Sequence, residues 1–93
     1  LQAQCKHLGT ENNLKILQRN GVTKFNAGRY REALDIFTRA ANGYDGNYLA
    51  AYWAAKSARK IGNRTLTMNW IDKTLDINPE YVPAKQLRAE YMK

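Results

Sequence analysis

Apolar residues return along most of the chain at intervals of three and four. Between residues 24 and 45 they are Tyr30, Ala33, Leu34, Phe37, Ala40 and Ala41, the signature of a helix with one buried face. Phe25 and Ala27 precede this run and belong to an earlier helix, so Gly28 falls where the chain turns between the two. Read this way throughout, the chain predicts five helices, at about 11–27, 30–42, 47–61, 64–77 and 81–92. No strand-like alternation of useful length appears.

The breaks between these helices have physical causes. Gly28 and Gly62 can adopt the left-handed conformation after a helix at no steric cost. Asn42-Gly43 stops the second helix, and the loop "GYDGN" follows it. Asn63 suits the start of the fourth helix, because its side chain can accept from free backbone donors. Pro79 forbids continuation of that helix and pushes Asn78 toward extended geometry. Pro83 is tolerated in the first turn of the last helix.

A second regularity lies over the first. Shifted by 34 residues, Leu17 falls on Ala51, Gly21 on Ala55, Gly28 on Gly62, Phe37 on Ile71 and Asp45 on Pro79. Ala33 falls on Thr67 and Ala40 on Thr74, exchanges that keep side-chain volume small. A fixed period of this length predicts stacked helix-turn-helix units, an all-α solenoid in which each pair packs on its neighbour.

Residues 14–81 resemble two consecutive tetratricopeptide repeats. The first, 14–47, supplies Leu17, Gly21, Phe25, Tyr30, Ala33, Phe37 and Ala40; the second, 48–81, supplies Ala51, Ala55, Ala58, Gly62, Ile71 and Pro79. The resemblance implies a right-handed superhelical stack of antiparallel helix pairs. Gly21, Ala33 and Ala55 would let helices approach closely, Gly28 would be the hinge within a pair, and Phe37 and Ile71 would fill the space between layers. Residues 82–93 read as a C-terminal capping helix, and residues 1–10 as an N-terminal extension or partial helix. The departures are Asn20 in place of an aliphatic residue, Asp45 in place of Pro, Thr67 and Thr74 in place of two alanines, and no large residue at Ala51.

In that family the first helix of each repeat lines a concave surface where peptide ligands usually bind. The resemblance therefore places Lys15, Gln18, Arg19, Val22, Phe25 and Asn26 on it, with Leu49, Tyr52, Trp53, Lys56, Arg59 and Lys60 from the second repeat. Cations there supply charge-assisted hydrogen bonds to carboxylates, and Trp and Tyr supply desolvated anchors. The stretch "YLAAYWAA" is apolar nearly all round, so Tyr52 and Trp53 stay open between groove and core. The family's basic and amide clamp for a C-terminal carboxylate is absent, since Gln18, Val22, Trp53, Pro83 and Leu87 hold its places. Trp70, Tyr81 and Tyr91 read as packing residues where the fourth and fifth helices meet.

Composition adjusts this picture modestly. Ninety-three residues, 44% apolar and 11% aromatic, fit one small globular domain and argue against disorder. No run approaches the roughly 18 apolar residues of a membrane-spanning helix. The net charge of +7 and pI of about 9.8 favour acidic partners. The opening "LQAQC" carries a weak hint of an exported protein, with cleavage after Ala3, but the apolar segment that goes with such a signal is not there.

Catalysis is poorly supplied. Ser57, Cys5 and His7 are the single residues of their types, so a nucleophile with its base cannot be drawn away from the chain end. Cys5 and His7, two apart, do not share a helix face. No His, Cys and carboxylate cluster has metal-ligand spacing, and Asp72 and Asp76, with Lys73 between them, read as a solvated face. No cofactor is expected. The expectation is thus a non-enzymatic protein-protein interaction module, a scaffold or adaptor holding an acidic peptide segment in its groove. A basic nucleic-acid-binding domain and an accessory segment of a larger multidomain protein are the alternatives. Two repeats are fewer than the roughly three an isolated stack needs, which adds dimerisation, or heavy use of the last helix as a lid, to the expectations.

Overall fold

The computed structural model describes the backbone of residues 2–43 and 47–91, and the side chains of residues 14–43 and 47–90. Among the described residues there are five helices and no strand: α1 (Gln2–Asn26), α2 (Tyr30–Gly43), α3 (Tyr48–Ile61), α4 (Arg64–Ile77) and α5 (Val82–Tyr91). Each helix packs on the next in sequence, and the short turns reverse the chain between them. The stack measures 51 × 29 × 18 Å. Side-chain contacts bring α1 beside α3, at Gln18–Asn47 and Phe25–Trp53, and α4 to the end of α2, at Lys73–Asn42.

The turn chemistry is local. Gly28 has φ +81° and Gly62 φ +94°, the left-handed region where a Cβ is strained. The Gly62 amide donates to the carbonyls of Ala58 and Arg59, closing α3. Asn63 Oδ1 accepts from the Leu66 amide at 3.0 Å and starts α4. Asn47 does the same for α3, accepting from the Ala50 amide at 3.3 Å, so it caps the helix rather than forming its first residue. Asn78 and Pro79 divide α4 from α5.

The expected start of α1 near residue 11 is corrected. The helix begins at Gln2, so from residue 2 the segment 1–10, expected as an N-terminal extension or a partial helix, is the first part of α1. Gln, Lys, Leu and Ala in this stretch sustain a helix, but no periodic apolar face marks it.

Packing depends on small residues. α3 lies between α2 and α4, and its Ala50, Ala51, Ala54, Ala55, Ser57 and Ala58 are all buried. Small side chains on both sides let the neighbouring helices close on it. From α2, Ala33, Phe37 and Ala40 are fully buried, and from α4, Ile71. Phe37 presses its ring against α1 at Gly21, where an added Cβ would lie 2.6 Å from two of its carbons. The buried hydroxyls find partners in their own helices. Ser57 donates to the Trp53 carbonyl, Thr67 to that of Asn63 and Thr74 to that of Trp70, at 2.8–2.9 Å. These bonds to the carbonyl four residues back satisfy otherwise costly buried donors, and let threonine stand where alanine was expected.

The joint at the C-terminal end differs from expectation at Tyr81. Trp70 of α4 shares a buried cluster with Leu87 of α5. Tyr81, just before α5, turns instead to α3, with ring centroids 5.0 Å from Tyr48 and 5.2 Å from Tyr52. A turn through Pro79 and Glu80, closed by the Tyr81 amide donating to the Asn78 carbonyl at 3.1 Å, carries it there. The expectation for the side chain of Tyr91 lies outside the described residues.

Candidate interaction groove

Side by side, α1 and α3 leave a seam. On α3, Leu49, Trp53, Lys56 and Lys60 follow at spacings of four, three and four, so they share one stripe of the helix. On α1, Gln18, Arg19, Val22 and Thr23 face it. Gln18, Arg19, Val22, Thr23, Leu49 and Trp53 line an open depression of about 360 Å³. Its floor is apolar. Leu49 is 39% exposed, a large aliphatic side chain left facing outward.

One end of the seam is held by amides. Gln18 Nε2 donates to Asn47 Oδ1 at 3.2 Å, the same oxygen that caps α3. Among the described residues, Asn47 Nδ2 is buried without a hydrogen-bond partner. The other end is aromatic. Phe25 of α1 meets Trp53 edge-on at 5.3 Å, and Trp53 also stacks on Phe37 at 5.6 Å. The ammonium of Lys56 lies 4.2 Å from the Trp53 ring centre, 5.5 Å from that of Phe25 and 5.6 Å from that of Tyr52. Cation attraction to ring faces holds this side chain against the seam. Burial, and then the charge of Lys60 one turn on, push the Lys56 ammonium below the usual lysine range.

The structure divides the expected groove residues. Gln18, Arg19, Val22, Leu49 and Trp53 come together in the depression, and Lys56 joins it through Trp53. Phe25 lies under the aromatic end. Lys15 and Asn26 are exposed on α1 but do not line the depression. Lys60 is exposed and continues the α3 stripe. Tyr52 and Arg59 turn the other way, the first to Tyr81 and the second to Glu90 of α5 at 2.7 Å. Tyr52 is about 100° round the helix from Trp53, which is enough to change neighbours. Trp53 serves both environments, core through Phe37 and groove through its outer edge. Thr23 and Asn47 were not foreseen. Asn47 had a signal in its place immediately before the apolar run of α3; Thr23 had none, and its hydroxyl already donates to the Arg19 carbonyl.

The tyrosines against α5 carry a pH consequence. Burial, then Glu90, push the Tyr52 hydroxyl above its ordinary value of 10.0, against a smaller opposing effect of Arg59. Burial, then Tyr52 and Tyr48, do the same for Tyr81. A raised folded value means the native state keeps a proton that the unfolded chain gives up above pH 10. That stability is whole below pH 10 and is lost as pH climbs through the folded values. Urea titrations at pH 9 and pH 11 are expected to show a smaller alkaline loss in Tyr52→Phe and in Tyr81→Phe than in the native chain.

Elsewhere, cations are matched locally. Lys24 and Arg29 meet Glu32, Arg39 meets Asp35, Lys85 meets Glu80, and Arg88 meets Asp72, all at 2.9–4.0 Å. Among the described residues no three His, Cys, Asp or Glu side chains gather as a metal site. No helix among them is long and apolar enough to cross a membrane. The side chains of Cys5 and His7 lie outside the described residues. Compared with known proteins, the chain matches no family model and no curated protein.

Proposed function

We propose that the chain is a non-enzymatic protein-interaction module of tetratricopeptide type, which holds a peptide segment in the seam between α1 and α3. The observation that carries this reading is the convergence of Gln18, Arg19, Val22, Leu49 and Trp53 on one open, apolar-floored depression. A preformed groove of this kind gives a peptide an anchor without an ordering cost in the receptor. Cationic side chains beside it favour acidic segments. The 34-residue spacing, with Gly21, Ala33 and Ala55 at close helix contacts, agrees with two stacked repeats capped by α5.

Selection from a phage-displayed library of random twelve-residue peptides tests the reading. The native chain is expected to enrich binders, and Leu49→Glu to weaken each recovered peptide at least about tenfold, the loss of one buried apolar anchor. Leu49 is exposed enough for helicity and unfolding midpoint to stay nearly unchanged. No enrichment with the native chain, or equal affinity in Leu49→Glu, removes the groove from the reading.

A further inference from the structure

Lys56 and Lys60 stand one turn apart on α3, a like-charge pair that destabilises an isolated helix. Lys56 is also drawn over the Trp53 ring at 4.2 Å, with Phe25 and Tyr52 at 5.5 and 5.6 Å. Ordering a lysine side chain ordinarily costs rotamer freedom. Here much of that ordering exists before any ligand arrives. Neighbouring Arg59 already meets a carboxylate, that of Glu90, at 2.7 Å. That pair lies on the α5 side of the helix and leaves Lys56 and Lys60 as the cations on the groove stripe.

We infer that Lys56 and Lys60 form an anion subsite at the end of the groove, taking an Asp or Glu side chain of the bound peptide. The inference rests on the proposed groove and adds the partner's chemistry and register. The stripe runs from the aliphatic Leu49 through Trp53 to the two ammonium groups. From Trp53 to the midpoint of Lys56 and Lys60 is about 7–8 Å along the helix axis. An extended peptide advances about 3.3 Å per residue, so its acid lies about two to four residues from the apolar side chain seated on Leu49 and Trp53. An arriving carboxylate offsets the repulsion between the two lysines, which a neutral peptide cannot do. Carboxylate is favoured over a nucleic-acid phosphate because Lys24, Arg29, Arg39, Arg59, Lys85 and Arg88 are paired with the chain's own acids rather than aligned as a continuous track for a strand.

The same twelve-residue library decides the matter, selected in parallel on the native chain, on Lys56→Met with Lys60→Gln, and on Leu49→Glu. Methionine keeps the apolar stem of Lys56 on the rings, and circular dichroism checks that both lysine variants stay helical. The native chain is expected to recover peptides with Asp or Glu two to four residues from an apolar residue. The lysine variant is expected to recover the apolar residue without the acid. It should also bind a recovered acidic peptide about tenfold more weakly, as does the native chain with that peptide's Glu→Gln version, the size of one charge-assisted hydrogen bond. Recovered peptides equally acidic in both selections overturn the subsite while leaving the groove. Loss of enrichment on the native chain overturns both. Polyuridylate competing with the peptide at 50 mM salt, through the same two lysines, overturns the carboxylate assignment.

Discussion

Replacing Gly21 by valine is expected to cost the fold about 3 kcal/mol, a large part of the roughly 5–14 kcal/mol that a domain of this length commands. A Cβ at this position would lie 2.6 Å from two carbons of the Phe37 ring and 2.9 Å from a third. The ring cannot retreat cheaply, since Phe37 is fully buried and stacked on Trp53. Valine adds two further methyl groups and a stiff χ1 to that overlap. The informative comparison is Gly21→Ala, because alanine inside a helix ordinarily gains up to about 1 kcal/mol over glycine. Here the overlap should reverse the sign. Shortening the ring relieves it, so Gly21→Ala in a Phe37→Leu background should cost at least about 1 kcal/mol less than the two single effects added. Urea unfolding of the four proteins measures this coupling. A Gly21→Ala variant more stable than the native chain would end the account of Gly21 as the place where α1 and α2 close on each other.

That contact was legible because it is written in residue size at a fixed spacing. The same holds for the turns. Gly28, Gly62 and Asn63 act through their own backbone or within three residues of it, so their roles follow from chemistry that does not depend on the rest of the fold. The beginning of α1 was hidden for the opposite reason, since a helix without a periodic apolar face leaves no pattern. The groove was half legible. Tyr52 and Trp53 are adjacent in an apolar run, and nothing in the run tells which of them faces α1 and which faces α5. Arg59 and Lys56 present the same difficulty with charge. Their separation depends on Tyr81 and Glu90, about 30 residues downstream, returning to α3 rather than staying on α4. Lys56 could be counted as a cation from the sequence, and Trp53 and Tyr52 lie three and four residues before it on the same helix, but the third ring beside it, Phe25, comes only from packing α1 against α3.

Trp53→Ala is the substitution on which groove and core meet, and it is expected to lower the unfolding free energy by about 3 kcal/mol. Loss of a tryptophan from packed surroundings costs about 3–5 kcal/mol, and the lower end applies because one edge of Trp53 already faces the depression. Within that total are the stack on Phe37 and the edge contact with Phe25, each worth about 0.5–1.5 kcal/mol. Attraction of Lys56 to the ring contributes roughly another 0.5–1 kcal/mol at a partly exposed site. Trp53→Phe separates the two roles. It keeps a ring against Phe37 but shortens the reach into the depression, so stability should fall by only about 1 kcal/mol while peptide affinity falls more. Guanidinium unfolding followed by far-ultraviolet circular dichroism, beside affinity for a library-selected peptide, reads both effects. If Trp53 belonged to the groove alone, Trp53→Ala would leave the unfolding midpoint in place. If it belonged to the core alone, Trp53→Phe would bind peptide as tightly as the native chain. The two-sided position predicts neither result: the ring that fills the gap beside Phe37 is also a wall of the proposed groove and the face beside the Lys56 ammonium, so stability and recognition should fall together in alanine and come apart in phenylalanine.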